Sequence, residues 1–146
     1  MDTSTYEIVR TLPSGPDPEL FVLSPSGNPL YIANEEDNLV TVVDIEQDKV
    51  LAEIPVGVEP EGMGISPDGK LLVTTSETTN MAHWIDTATH EIIANTLVDQ
   101  RPRHAEYNKD GSELWVSSEI GGTVTVFNTA DQSEKGKIEF EIKGVH

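Results

Sequence analysis

Apolar residues in this chain come in short runs, each closed by Gly, Pro, Asp, Asn or Ser. "LYIAN" (30–34), "LVTVVD" (39–44), "LLVTTS" (71–76), "LWVSS" (114–118) and "VTVF" (124–127) show the pattern. Runs this short, rich in Val, Ile, Thr and aromatic side chains, predict strands, since a helix that buries one face needs a longer 3.6-residue periodicity. The expectation is an all-β protein with almost no helix.

The pattern also repeats. Gly27, Gly69 and Gly111 are each 42 residues apart, and so are Pro18, Pro60 and Pro102. In that register "LSPSGNPLYIAN" (23–34) aligns with "ISPDGKLLVTTS" (65–76) and "YNKDGSELWVSS" (107–118). Glu35, Glu77 and Glu119 follow in register, and Asp44, Asp86 and Asn128 close the next apolar segment. Each repeat divides into four strands, expected in the second repeat at 62–66, 71–76, 82–86 and 91–98. Pro67-Asp68-Gly69 supplies a hairpin, because Pro fixes φ and Gly tolerates φ > 0. Asp86-Thr87-Ala88-Thr89 makes the next turn.

All-β units of this length, four strands each, predict β-propeller blades rather than a helical solenoid. The expected architecture is a propeller segment forming one domain, 1–146, with three blades at about 18–59, 60–101 and 102–143. One N-terminal outer strand, Tyr6 to Leu12, is expected in register with 49–56, and "EIKGVH" (141–146) reaches the place where a further innermost strand would begin. Propellers close with four to eight blades. The reading is therefore part of a longer propeller, whose end faces are met by the remaining blades or by self-association. Trp84 is in register with Val42 and Val126, and Trp115 with Tyr31 and Val73, so both tryptophans are expected between blades.

Charge narrows the partners. Nine Lys plus Arg face 26 Asp plus Glu, for a formal net charge of −17. Such a surface disfavours the phosphate backbone of nucleic acid, which is bound by Lys and Arg displacing counterions, and it disfavours anionic membranes. A basic protein partner, a cation or solubility in salt are the classes that profit. With no cysteine, disulfides, Cys-ligated zinc and thiol nucleophiles are excluded. "MDTSTYEIVRTL" (1–12) has no basic n-region or apolar h-region, and no run approaches the length of a spanning helix.

Motifs for catalysis are weak, and no catalytic residue is predicted. "GISPD" (64–68) lacks the closing Gly of a nucleophile elbow, and no Gly-Lys-Ser/Thr loop exists for phosphates. "NEEDN" (34–38) lacks the alternating ligands of a calcium loop and reads as a solvated blade loop. His83, His90, His104 and His146 have no metal-ligand spacing, so no metal site is predicted. His83 and His90 are expected to be exposed or loosely bonded. Glu35, Glu77 and Glu119 are expected to accept backbone N–H groups of the following turn.

"DQRPRHAEY" (99–107) stands apart, holding two of only three arginines. Arg101 occupies the position of Asp17 and Glu59, and Arg103 that of Glu19 and Glu61. These positions lead into the innermost strand, which lines a propeller's channel. Two readings stand. One is a pair of inter-blade bridges, Arg101 with Glu59 and Arg103 with Glu61. The other is a ligand site at the channel mouth built from Arg101, Arg103, His104, Glu59 and Glu61, in which the guanidiniums hold a carboxylate-bearing ligand and His104 is a secondary donor or axial ligand.

The repeat pattern resembles the YVTN-type β-propeller repeat. More narrowly, "LPSGPDPELF", "VGVEPEGMGISPDGK", "SETTNMAHWIDTATHEI" and "SSEIGGTVTVF" are similar to the β-propeller proteins associated with PQQ-dependent catabolism in bacteria. That resemblance implies a non-catalytic binding or accessory protein of the periplasm, beside PQQ-dependent oxidation, with PQQ or haem as the cofactor in the complete propeller and a redox protein as partner. It also implies a distant relation to haem-binding propellers of nitrite reductases, hence the alternative of an electron-transfer or oxidoreductase propeller holding a d-type haem.

Overall fold

The computed structural model describes residues 1–141 and Gly144. Twelve strands follow one another in three antiparallel sheets of four. The first blade is β1 (Pro18–Leu23), β2 (Leu30–Asn34), β3 (Leu39–Asp44) and β4 (Lys49–Pro55). The second is β5 (Pro60–Ile65), β6 (Leu71–Ser76), β7 (Met81–Asp86) and β8 (Glu91–Leu97). The third is β9 (Pro102–Tyr107), β10 (Glu113–Ser118), β11 (Thr123–Asn128) and β12 (Glu134–Glu139). Each sheet is a simple meander in chain order, and among the described residues there is no helix. This is the expected architecture of propeller blades.

The turn chemistry explains where strands stop. Gly27, Gly69 and Gly111 adopt φ of +90°, +73° and +75°, which a side chain at those positions would resist. Asp86 Oδ1 accepts the N–H groups of Ala88 and Thr89, and Asp44 Oδ1 those of Glu46 and Gln47. The repeated Asp thus closes its turn through its own side chain.

Blades are joined by apolar faces. Tyr31, Ala33, Val40, Val42 and Ile54 of the first blade bury against Met63, Leu72 and Ile85 of the second. Val73, Ala82 and Trp84 of the second bury against Ala105, Tyr107, Leu114, Val116 and Phe127 of the third. Trp84 sits edge-on to Tyr107 and Phe127, with centroids 6.4 and 6.1 Å away, and its indole N–H donates to Thr96 Oγ1 at 3.0 Å. Its expected place between blades is therefore correct.

Three expectations need correction. Residues 6–12 form no strand: Tyr6, Ile8 and Val9 are exposed and the segment pairs with no sheet. Sequence can give a segment strand propensity, but a ladder needs a neighbouring edge to accept it. Trp115 is 40% exposed although its register mates Tyr31 and Val73 are buried. Its face is the one that on the other blades receives the next sheet, and among the described residues none follows. His83 is buried, and His90 is half-buried in its turn. The residues Ile142, Lys143, Val145 and His146, including the expected start of a further strand, lie outside the described ones.

Candidate functional site

The site begins with a backbone feature. Asp17, Glu59 and Arg101, one per repeat, all take left-handed φ values of +48°, +59° and +59°. Such a conformation costs a non-Gly residue on the order of 1–3 kcal/mol and persists only where the surroundings fix it. Here they do: the three carbonyls accept the N–H groups of Glu35, Glu77 and Glu119 at 3.0, 2.9 and 2.9 Å. In addition, Asn38 and Asn80 accept the N–H groups of Glu59 and Arg101. The repeated glutamates are thus fixed by their own backbone N–H groups, and the Glu77 carboxylate goes to Arg101 and Arg103.

Two residues further on, each innermost strand slips register against its neighbour. The breaks fall at Pro18/Phe21, at Pro60/Met63 and opposite Ser117/Ser118, so Glu19, Glu61 and Arg103 sit in bulges. A bulge re-aims its side chain out of the pleat. Gly62 sets how closely two bulges approach, since a Cβ there would lie 2.8 Å from backbone atoms of both Arg103 and His104. Thr75 secures the contact by accepting from Gly62 N–H and donating to the Pro102 carbonyl, each at 3.0 Å.

This close approach gathers five charged side chains between the second and third blades. Arg103 meets Glu61 through Nη2, Glu77 through Nη1 at 3.0 Å and Glu119 through Nε at 3.9 Å. Arg101 Nε lies 3.0 Å from Glu77 Oε2 and 3.3 Å from Glu119 Oε2. The expected Arg103–Glu61 bridge is present. The Arg101–Glu59 bridge is not: Glu59 instead accepts a hydrogen bond from Thr78, and the Arg101 guanidinium is held by Glu77 and Glu119, the glutamates that follow the second strands.

The cluster stores a proton. Burial, then a hydrogen bond to Glu77, push Glu61 up to about 8 against the pull of Arg103. Burial also acts to raise Glu77, but the hydrogen bonds from Glu61 and Arg101 and the two guanidinium charges outweigh it and hold Glu77 below the usual carboxylate range. A protonated Glu61 donates to Glu77 and accepts from Arg103 through Oε1. With that proton in place, two guanidiniums face the two carboxylates of Glu77 and Glu119, and the group is balanced in charge.

The other expected site residues lie apart. His104 is half-exposed on β9, with Nε2 3.7 Å from Glu106 Oε2. Asp17, Glu19 and Glu35 bring carboxylate oxygens within 4.8 Å of one another on the first blade, where no arginine replaces them. Burial, then the neighbouring charges of Glu19, Asp17 and Glu59, raise Glu35. In "NEEDN" Asn34 is buried, donating to Ser14 and accepting from Thr41, while Glu36 and Asp37 are exposed as expected.

Beside Arg101 lies a groove of about 420 Å³ lined by Glu77, Thr78, Asn80, Gln100, Arg101 and Ile120. Sequence reasoning missed Thr78, Asn80 and Gln100; the signals were the loop that Thr78 and Asn80 share with Glu77 and the place of Gln100 directly before Arg101.

His83 completes the description of the connectors. Its Nε2 accepts the Gly57 N–H at 3.0 Å and meets Ser76 Oγ at 3.0 Å, while Nδ1 faces Asn95 Oδ1 at 2.6 Å. Burial lowers its basicity, against the Asn95 bond. A ring that accepts at Nε2 and donates at Nδ1 is neutral, so His83 pins the link between the first and second blades.

No family model and no curated protein matches this chain. Solved structures do. A chain of Kuenenia stuttgartiensis hydrazine synthase is similar at 25% identity and a TM-score of 0.85, over 93% of this chain and 39% of that one. The structures of U3-55K and of the RRP9 WD40 repeats are similar at 16% identity and TM-scores of 0.86, each over 92% of this chain and 43% and 42% of theirs. The chain spans about two-fifths of these structures' length, and the likeness places its three sheets among WD40-type propeller blades.

Proposed function

We propose that this β-propeller segment works by binding, as a non-catalytic accessory protein that holds a carboxylate-bearing ligand at the channel mouth. The observation that carries this is Arg101, whose side chain stays 38% exposed beside the 420 Å³ groove where Thr78, Asn80 and Gln100 offer further donors. Pockets that hold small ligands are about 300–1,000 Å³, and this one is a polar groove in which Ile120 is the apolar residue. Arg103 and Glu59 adjoin the groove through Glu77 and Thr78, Glu61 stands behind Arg103, and His104 lies apart on β9. Its ligand class includes a quinone bearing carboxylates, such as PQQ, and the accessory role beside PQQ-dependent oxidation in the periplasm, with a redox protein as partner, rests on the sequence resemblance. The likeness to a chain of hydrazine synthase supports a propeller of this shape within an enzyme system.

Direct titration with PQQ, followed by tryptophan fluorescence, tests the reading. Saturable binding should weaken by about 10- to 100-fold in Arg101→Gln, the scale of one hydrogen bond to a charged group. Absence of saturable binding in the unmodified chain would sink it. A d-type haem is the second reading, favoured by the half-exposed His104 ring. Haem titration should then give a visible band that His104→Ala abolishes.

A further inference from the structure

The two junctions between blades differ at the strand ends opposite Glu77 and Arg101, where the β5–β6 and β9–β10 hairpins lie. At the first junction the Tyr31 hydroxyl is hydrogen-bonded to Thr87, whose Oγ1 donates to the Gly69 carbonyl at 2.7 Å. Beside it Asn28 donates to Asp44 Oδ1 at 3.1 Å. In the 42-residue register Val73 stands for Tyr31, Lys70 for Asn28, Asp86 for Asp44 and Thr129 for Thr87. The second junction therefore loses both polar plugs.

A cavity of about 570 Å³ lies in their place, between the second and third blades. Pro67 and Leu71 give it an apolar wall, and Asp68, Asp86 and Asp110 supply carboxylates. Lys70 turns to Asp68 at 3.4 Å with its side chain 81% exposed, so three lining carboxylates meet one ammonium. Two hydroxyls complete the site. Thr129 Oγ1, on the lining, is buried without a hydrogen-bond partner among the described residues. Tyr107, 6% exposed, packs in the cluster that Leu71 covers, and its hydroxyl has no partner either. Burial, then the charge of Asp68, raise the pKa of that hydroxyl, which places it toward the Asp68 wall.

We infer that this pocket binds an alkylammonium group. An ammonium offers three donors and no acceptor, which matches carboxylates and unpaired hydroxyl oxygens. Its alkyl stem suits Pro67 and Leu71, a wall that a bare metal ion would not use. The volume is in the range of small-ligand pockets, and the net charge of −17 draws cations toward the chain. The pocket shares no residue with the groove beside Arg101, so it stands independently of the carboxylate-ligand reading.

Isothermal titration calorimetry of the whole chain at low salt, with cadaverine and with a capped peptide carrying one Lys, tests this. Saturable binding of cadaverine assigns the site to free amines, and binding of the peptide alone assigns it to a Lys side chain of a protein partner. Asp110→Asn should weaken binding about 3- to 5-fold, while Asp37→Asn, an exposed acid of the first blade, and Arg101→Gln should leave it unchanged. Val73→Tyr combined with Tyr107→Ile rebuilds the Tyr31 and Ile65 arrangement of the first junction and should abolish binding, with strand content checked by circular dichroism. Asp110 is exposed, so its variant is informative whether or not the core exchange folds. No saturable binding of either probe, equal weakening by Asp37→Asn and Asp110→Asn, or a folded double variant that still binds would each overturn the inference.

Discussion

Replacing Glu61 with Gln isolates the stored proton. Gln keeps a carbonyl oxygen for Arg103 and an N–H₂ that donates to Glu77, so it mimics the protonated acid and cannot ionise. The sign follows from linkage. Glu61 rises from an ordinary value of 4.5 to about 8 on folding. Between those two pH values the folded chain holds a proton that the unfolded chain has released, so stability falls as pH rises from 4.5 to 8 and levels off above. A shift of that size corresponds to an upper bound of about 5 kcal/mol. Access of water to the cluster and its sharing of the proton among neighbours reduce the expected loss to about 1–2 kcal/mol.

Urea unfolding of the two proteins at pH 5, 7 and 9 gives the comparison. The unmodified chain and Glu61→Gln should be close in stability at pH 5, and the variant should lead by about 1–2 kcal/mol at pH 9. His83 titrates in both proteins, so the difference belongs to residue 61. Parallel pH profiles, or a variant already weaker at pH 5, would refute the argument that Glu61 is the neutral member of the group.

Further outcomes follow from other parts of the fold. His83 is held neutral, so stability should decline as pH falls below its ordinary value of 6.5 and through the lowered folded one, and His83→Gln should remove that part of the acid sensitivity in a pH series of melting curves. Gly62→Ala places a methyl group 2.8 Å from the backbone of the third blade, and should cost about 1–3 kcal/mol in urea while separating Glu61 from Arg103. Trp84→Ala removes the largest fully buried side chain at the second junction and should cost about 3–5 kcal/mol by the same assay. Arg103→Gln should couple with Glu61→Ala in a double-mutant cycle, whereas Arg101→Gln with Glu59→Ala should be additive within about 0.5 kcal/mol.

The sequence by itself determined what is local and repeated. Strand positions in the second blade were readable to within about two residues because the apolar runs are short and are bounded by Gly, Pro, Asp and Ser. The turn glycines and the closing Asp44 and Asp86 were readable because each acts within its own few residues. The meeting of the second and third blades at Glu61 and Arg103 was also legible, since the 42-residue register lines up like positions on adjacent sheets.

What crosses from one repeat to another in a different register was left to the tertiary structure. Arg101 finds Glu77 and Glu119 rather than Glu59, a pairing between different positions of the repeat that the register does not line up. His83 is buried because Gly57 of the preceding connector reaches its ring, a contact 26 residues away in sequence. Trp115 shares its register with Tyr31 and Val73 yet stays open, and Tyr6 to Leu12 carries strand propensity yet pairs with nothing. Burial and strand pairing are properties of a residue and its neighbour together. The chain specifies the first of the two, and packing in three dimensions supplies the second.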